Sequence, residues 1–428
     1  MHYSPRTIAG VVAFFAFTAL YIITAVSARD PTSIYFSPRK GYTPRYSAIR
    51  RSQAEQFILA YDAVNPIDVV KASPDEKKRK LCVGIPSTYR NGVGYLPDTV
   101  ASLIEGLSPE ERQEIYIMVF IPHSKPETHP AYNEKWLPGL VDKVITYQFG
   151  YDRMQHIRIM EQAGGRVEEK AIFDYAYLLN KCAEQFTPYI AILEDDTLAM
   201  HGWYHRTMAA IHEAEQQAAL RRSKPDFLYL RLFYTEEFLG WNRQRWKSYL
   251  WLSICAAALP TAFLVLVRVF QPRTKLSITL TTRRAFLTLY SVLAVLILFY
   301  FSLGRITVHP IPNGVHEMPR FGCCSQAYVF PNLKAQDLVT YFKERHVGYT
   351  DVLLEDFANE RDELRFAITP SVVQHLGRKI EKSGDAASEE KVGKNMVEKI
   401  WSFAFEKFDV KALNEEHEKV KRLRIQGL

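Results

Sequence analysis

The chain has 428 residues, 47% hydrophobic and 13% aromatic, enough for one large domain or two to three small ones with a real core. Its net charge of +7 is not gathered into a basic, aromatic-interleaved groove, and no zinc-finger, RNP-like or basic-zipper pattern occurs, so no nucleic-acid partner is expected. Part of the positive excess instead flanks long apolar stretches.

In chain order, residues 1–7 read as a short cytoplasmic tail and residues 8–28 as a first membrane span, 21 residues without a charge. A cleavable signal peptide is the alternative, because Val26 and Ala28 fit the small-residue cleavage pattern. The run exceeds a typical signal core, so an uncleaved anchor is expected. Residues 29–80 form a stem rich in Pro, Tyr, Ser and Arg, followed by a helix over Ser52–Val64 and a charged connection over Ser73–Lys80. Residues 81–248 then alternate. Strands are predicted over Leu81–Ile85, Ile115–Ile121, Lys143–Tyr147, Tyr189–Asp196 and Phe227–Phe233. Helices are predicted over Asp98–Leu107, Pro130–Val141, Glu168–Phe186 and Trp203–Leu220. Strands that are apolar throughout and separated by helices predict an α/β fold, a parallel sheet covered on both faces, with ligands beyond the carboxyl ends of the strands.

Residues 249–267 and 285–304 are two more uncharged runs of 19 and 20 residues. The loop between them, 268–284, holds Arg268, Arg273, Lys275, Arg283 and Arg284 and no acid, which predicts a cytoplasmic loop. Arg243, Arg245 and Lys247 on the other flank weaken that asymmetry without reversing it, and Trp241 and Trp246 fit an interfacial belt. Residues 29–248 and 305–428 then share one compartment, and two segments can form one domain split by a transmembrane hairpin. With no charge inside any span, a transporter path has no support. Beyond the hairpin come a loop over His309–Gly322, a strand Ala327–Phe330, a helix Leu333–Arg345, an acidic element Tyr349–Phe357 and a helix Phe357–Arg365. A polar stretch Gly377–Gly393 follows, with helices near Lys391–Phe408 and Val410–Arg424.

Cys82, Cys182, Cys323 and Cys324 fall in the oxidising compartment and Cys255 inside a span. Adjacent Cys323 and Cys324 would be strained if joined, so a bridge from this pair to Cys82 or Cys182 is expected, the alternative being small buried hydrophobes.

The chemistry centres on residues 189–196, where an apolar strand stops on Glu194, Asp195 and Asp196. If extension continues to the tip, Glu194 and Asp196 share a face and Asp195 takes the other. Two hard oxygen donors there suit Mg²⁺ or Mn²⁺ with positions left open for a diphosphate, the bland alternative being a solvated turn. A distant carboxylate pair, Glu355 and Asp356, supplies what an inverting glycosyl transfer needs in addition: a base for the acceptor hydroxyl, Asp356 before Glu355. The same pair would equally cap the following helix. His201 and His205, four residues apart, would add a metal ligand or simply pack, and no Glu follows His201 to make a zinc-protease motif.

The motifs Glu194-Asp195-Asp196 and Leu354-Glu355-Asp356, in a domain interrupted by a transmembrane hairpin, resemble the Golgi family that adds an N-acetylgalactosamine branch to the mannose core of glycosylphosphatidylinositol (GPI) anchors. The opening strand Val83-Gly84-Ile85-Pro86-Ser87-Thr88 is also similar to the branching N-acetylglucosaminyltransferases of N-glycans, which lack such a hairpin. The resemblance implies a glycosyltransferase A (Rossmann-like) lumenal domain with three spans in the Golgi membrane. It also implies a UDP-sugar donor, N-acetylgalactosamine or galactose (including its furanose form), and a GPI glycan acceptor. On the same basis Pro86, Ser87, Thr88 and Arg90 would contact uridine and diphosphate. Asp196 would bind the cation, and Glu194 and Asp195 would reach the ribose or complete its shell. Asp174 and Tyr175 would contact base or sugar, and Gly322, Cys323, Cys324, Ser325 and Gln326 would line the sugar pocket. The competing readings are an N-glycan or glycolipid transferase and an inactive glycan-binding or escort membrane protein.

Overall fold

The computed structural model describes residues 5–63, 69–89, 94–162, 166–222, 225–274, 278, 282–319, 324–377 and 400–426. The chain separates into two compact units, one drawn from Pro44–Tyr234 and Pro312–Leu428, the other from Met1–Thr43 and Thr235–Ile311.

The first unit is a mixed α/β domain. Its strands are β1 (Leu81–Pro86), β2 (Ile115–Phe120), β3 (Lys143–Ile145), β4 (Tyr189–Leu193), β5 (Thr197–Ala199), β6 (Tyr229–Arg231), β7 (Gly314–Glu317), β8 (Ala327–Pro331), β9 (Arg365–Thr369) and β10 (Val373–His375). Eight of them make one sheet in the order β3-β2-β1-β4-β8-β6-β9-β7, and β5 pairs with β10 in a separate ladder. The half β3-β2-β1-β4 is parallel, as expected from continuous apolar runs that are buried on both faces. The other half is not: β8 runs antiparallel to both β4 and β6, and β7 antiparallel to β9. The expectation of an all-parallel sheet is thus corrected, because β8 comes from the later chain segment and returns along β4 in the opposite sense.

Alternation along β1, β2 and β4 divides their side chains between two cores. Val83, Ile85, Ile117, Val119, Ala191 and Leu193 pack with Trp203 and Tyr204 on one face. Cys82, Met118, Phe120, Ile190 and Ile192 pack on the other, against Leu178, Phe342 and Phe357 of the helices Val167–Ala183, Asn332–Arg345 and Thr350–Glu360. At Gly84 a Cβ would sit 2.9 Å from Ile192 and 3.0 Å from Leu178, so only glycine lets the helix come that close to β1. Beside it, Cys82 and Cys182 are joined by a disulfide that ties β1 to the same helix. This corrects the expectation that one of them would pair with Cys323 or Cys324, and Cys323 lies outside the described residues.

Other boundaries also differ. Pro130–Val141 holds two short turns, Pro130–Asn133 and Trp136–Leu140, because prolines and Gly139 interrupt a longer helix. The late acidic element belongs to a helix that already starts at Thr350 and ends at Glu360, so Arg365 begins β9 instead of closing a helix. Of the helix expected over Lys391–Phe408, residues 391–399 lie outside the described residues and the rest holds one turn, Phe405–Lys407. The C-terminal helix, Val410–Ile425, is present.

In the second unit, two helices are long and apolar enough to cross a membrane, within Glu236–Phe270 and over Arg283–Ser302. Their most apolar windows are only 6% and 0% buried, the opposite of a helical hairpin in a soluble core. A helix also runs over Pro5–Ser27. Where it ends, Asp30 accepts from the Thr307 N–H at 2.6 Å, and Ser33 donates to the Ser302 carbonyl at 3.0 Å, so residues just after the first helix are joined to the end of the last.

The disulfide closes a loop of 100 residues. Replacing both cysteines by serine should lower the unfolding free energy by about 2–5 kcal/mol, measured by chemical denaturation under oxidising conditions.

Candidate active site

The strand β4 ends at Leu193, and the three acids occupy the turn between β4 and β5. Although extension does not continue, the outcome for the side chains is the alternation expected of a strand: Glu194 and Asp196 converge and Asp195 turns away. The turn is held by its main chain. Glu194 donates its N–H to the Gln326 carbonyl at 2.9 Å, and Thr99 Oγ1 lies 2.7 Å from the carbonyls of both Asp195 and Thr197.

A residue not anticipated completes the cluster. β5 and β10 pair antiparallel with His375 opposite Thr197, and Leu376 N–H bonds the Asp196 carbonyl at 2.7 Å. His375 Nε2 is thereby placed 3.4 Å from Asp196 Oδ2, and one donor atom from each of Glu194, Asp196 and His375 lies within 4.8 Å of the others. Burial alone would push the His375 imidazole down. The facing carboxylates of Asp196 and Glu194 outweigh it and hold its pKa above the ordinary value, so the site attracts positive charge. A Cβ at Gly377 would lie 2.8 Å from His375 Nε2 and 2.9 Å from Asp196 Oδ2; glycine keeps that space open. Two carboxylates, one imidazole and a space kept clear between donors fit a divalent cation. No sequence spacing marks His375, which stands 179 residues from Asp196 and meets it only through the β5–β10 ladder.

The expected pocket loop is brought to the same place. Ser325 Oγ donates to Glu194 Oε1 at 2.5 Å and Gln326 Nε2 to Oε2 at 3.4 Å. Cys324 takes a left-handed conformation, φ 83°, and its N–H donates to Asp351 Oδ2 at 3.2 Å. Asp351 is in the first turn of the helix Thr350–Glu360 and was not singled out in sequence. Tyr175 is buried close enough to Glu194 that burial and that carboxylate's charge raise its phenol pKa, and its hydroxyl has no hydrogen-bond partner among the described residues.

On the other side, Asp195 closes a relay to the end of β1. Ala131 N–H donates to His129 Nδ1 at 3.2 Å, which leaves the proton on Nε2, 3.1 Å from Ser87 Oγ; that hydroxyl in turn donates to Asp195 Oδ2 at 2.7 Å. Burial, then the neighbouring His123, lower the His129 pKa to about 4, so the relay is neutral at its imidazole. Ser87, Thr88, Tyr89, His129, Trp136 and Asp195 line a cavity of about 300 Å³ against the acids, large enough for part of a nucleotide. Pro86 ends β1 beside it, while Arg90 and Gly322 lie outside the described residues.

Other candidates go elsewhere. Asp174 is held by Lys170 at 2.6 Å and by the Tyr147 hydroxyl, a contact set of its own. Glu355 is buried in an ionic knot, bonded by Arg365 and the Tyr229 hydroxyl with Arg231 at 3.5 Å, and it ties its helix to β6 and β9. Asp356, one residue on, is exposed, and its charge is felt by the Tyr341 phenol. His201 and His205 do not join Glu194 and Asp196; they meet Glu111 and His417.

The family model for the GPI-N-acetylgalactosamine transferase PGAP4 matches residues 81–374, more than half of the chain and both segments of the α/β unit. The chain belongs to this family. It is also similar to alpha-1,3-mannosyl-glycoprotein 4-beta-N-acetylglucosaminyltransferase C of Mus musculus, 31% identical over 29% of this chain and 28% of that protein. The corresponding enzyme A of Bos taurus is 24% identical over 41% of this chain and 37% of that protein. The chain thus covers well under half the length of these curated relatives. Among solved structures, the mannosyltransferase PcManGT from Pyrobaculum calidifontis, in complex with GDP-Man and Mn²⁺, overlaps 44% of each chain at 14% identity. Its TM-score of 0.21 is too low to carry any conclusion.

Truncating Glu355 to alanine leaves Arg365 and Arg231 buried without their carboxylate and should cost about 3–5 kcal/mol of stability, whereas Asp356→Ala should stay within about 0.5 kcal/mol. Thermal or denaturant unfolding of the two variants separates them. His129, neutral when folded down to about pH 4, titrates near its ordinary value once unfolded, so the unfolded chain binds the extra proton between these limits. Its contribution to stability should therefore be lost as pH falls from about 6.5 to about 4, and the pH dependence of unfolding should be shallower in His129→Phe.

Proposed function

We propose that this protein is a metal-dependent, inverting glycosyltransferase of the Golgi membrane that transfers a sugar, N-acetylgalactosamine in the first instance, from a UDP-sugar to the mannose core of GPI anchors. The observation that carries the reading is the convergence of Glu194, Asp196 and His375 beside a cavity that can take part of a nucleotide and the Cys324–Gln326 loop. Membership of a family described as GPI-N-acetylgalactosamine transferases supports N-acetylgalactosamine as the sugar and GPI as the acceptor.

In this reading Asp196, Glu194 and His375 hold Mn²⁺ or Mg²⁺. When bound, the ion neutralises the leaving diphosphate. Ser87, oriented by His129 and Asp195, and Thr88 with it receive the nucleotide side of the donor. Ser325 and Gln326, pinned on Glu194, border the sugar, with the Tyr175 hydroxyl free to bond it. The base must stand within hydrogen-bond reach of the acceptor hydroxyl. Asp351 meets that better than Asp356, because it is bonded to Cys324 at the loop and Asp356 sits more than a turn further along the helix, exposed. Glu355, locked to Arg365, serves the fold.

With three spans, over Pro5–Ser27 and the two apolar helices, and the loop 268–284 cytoplasmic, the catalytic unit is lumenal. An acceptor whose lipid stays in the bilayer then meets the site at raised effective concentration. The likeness to N-glycan branching enzymes keeps N-glycan acceptors as the second reading.

Detergent-purified protein should be assayed with a panel of UDP-sugars, with and without Mn²⁺, on GPI-type and N-glycan acceptors. Mn²⁺-dependent transfer of one sugar to the GPI acceptor is expected, abolished in Asp196→Ala and His375→Ala. Asp351→Asn should lower kcat by about 10²–10⁴-fold and Asp356→Asn far less. If no donor is turned over on any acceptor, the catalytic reading fails in favour of a glycan-binding escort; transfer to N-glycans alone replaces the acceptor, and a reversed order of the two aspartates returns the base to Asp356.

A further inference from the structure

We propose that Glu111, His205 and His417 form a second metal site, of the Zn²⁺ class, that pins the C-terminal helix to the α/β unit. Glu111 lies in the short helix Pro109–Glu114, His205 in the helix Trp203–Arg222 and His417 near the middle of Val410–Ile425, so the three ligands come from three elements far apart in sequence. One donor atom from each lies within 4.8 Å of the other two. Glu111 and His417 are 0% exposed and His205 8%. None of them belongs to the cluster around Asp196.

The surroundings are those that metal-binding histidines require. A ligating imidazole presents one nitrogen to the ion and donates the other N–H to a partner that fixes ring and tautomer. His205 Nε2 is 3.0 Å from Glu416 Oε1, and Glu416 is itself clamped by Arg206 at 2.6 and 2.8 Å, whereas His205 Nδ1 has no hydrogen-bond partner among the described residues. His417 Nδ1 is 3.1 Å from His201 Nε2, which leaves Nε2 facing Glu111 Oε2 at 2.9 Å; Glu111 Oε1, fully buried, has no hydrogen-bond partner either. The imidazoles of His205 and His417 stack at 5.1 Å and 27°. Two buried donor atoms without hydrogen bonds are what a ligand would complete, since leaving each unmade is costly.

Two nitrogens and a carboxylate oxygen select Zn²⁺ or Co²⁺ over Mg²⁺ and Ca²⁺, which favour oxygen throughout. The bland alternative is a clasp of hydrogen bonds, Glu111 to His417 to His201.

Co²⁺ separates the two, because in a four-coordinate nitrogen and oxygen site it absorbs strongly in the visible and in a six-coordinate site weakly. The full chain, purified in detergent as Asp196→Ala to remove the other cation site and stripped by chelator, should take up one equivalent of Co²⁺ with strong visible bands. Zn²⁺ should displace it and raise the unfolding temperature. Glu111→Gln, which keeps an oxygen to accept from His417, should lower Co²⁺ affinity at least about tenfold while the metal-free unfolding temperature holds. His205→Phe, which keeps the stacked ring, should do the same and stands in if the first variant does not fold. Absence of the strong bands, or affinity unchanged in both variants, overturns the site and leaves the clasp. None of these readouts depends on sugar transfer.

Discussion

The candidate active site depends on one short ladder. β5 and β10 contribute only three residues each, yet their antiparallel register sets His375 opposite Thr197 and delivers an imidazole to Asp196 across 179 residues of chain. Without that pairing Glu194 and Asp196 would be a pair of acids in a turn. With it they become the oxygen half of a mixed donor set in which a buried histidine is drawn toward its charged form by the carboxylates facing it. The same turn is gripped from behind by Thr99 and in front by Leu376, so the acids are positioned by main-chain bonds and need no rigidity of their own.

Three consecutive acids thereby acquire three different surroundings. Glu194 is paired with Ser325 and Gln326 and anchors the loop before β8. Asp195 reaches back to Ser87 and the neutral His129 at the mouth of the cavity. Asp196 faces His375 and the space kept clear at Gly377. Each acid thus links β4 to a different strand end: β8, β1 and β10. The convergence of strand ends at one place is the general logic of ligand sites on α/β sheets, here built on a sheet whose second half is antiparallel.

The later acidic motif shows the opposite case. Glu355 and Asp356 look alike in sequence, but a helix turns successive side chains by about 100°. One is swallowed by Arg365, Arg231 and Tyr229, and the other is left in solvent. The carboxylate that does reach the loop is Asp351, in the first turn of the same helix. A buried ion pair of this kind is costly to break and is weak evidence of catalysis. The histidines after the acidic turn likewise face away from it, toward Glu111 and His417.

The alternation of apolar strands and helices from Leu81 to Phe233, the apolar helices, and the acids at the end of β4 were legible in the sequence. They are local patterns, carried by hydrophobic periodicity and an abrupt change in polarity. So was the family, whose motifs lie within the matched residues 81–374. The direction of β8, the pairing of Cys82 with Cys182, the arrival of His375 and the different surroundings of Asp351 and Asp356 were decided by tertiary structure. Each depends on which residues distant in sequence become neighbours, through strand register, helix phase and close approach at Gly84 and Gly377. No local pattern encodes a contact between residues as far apart in the chain as Asp196 and His375.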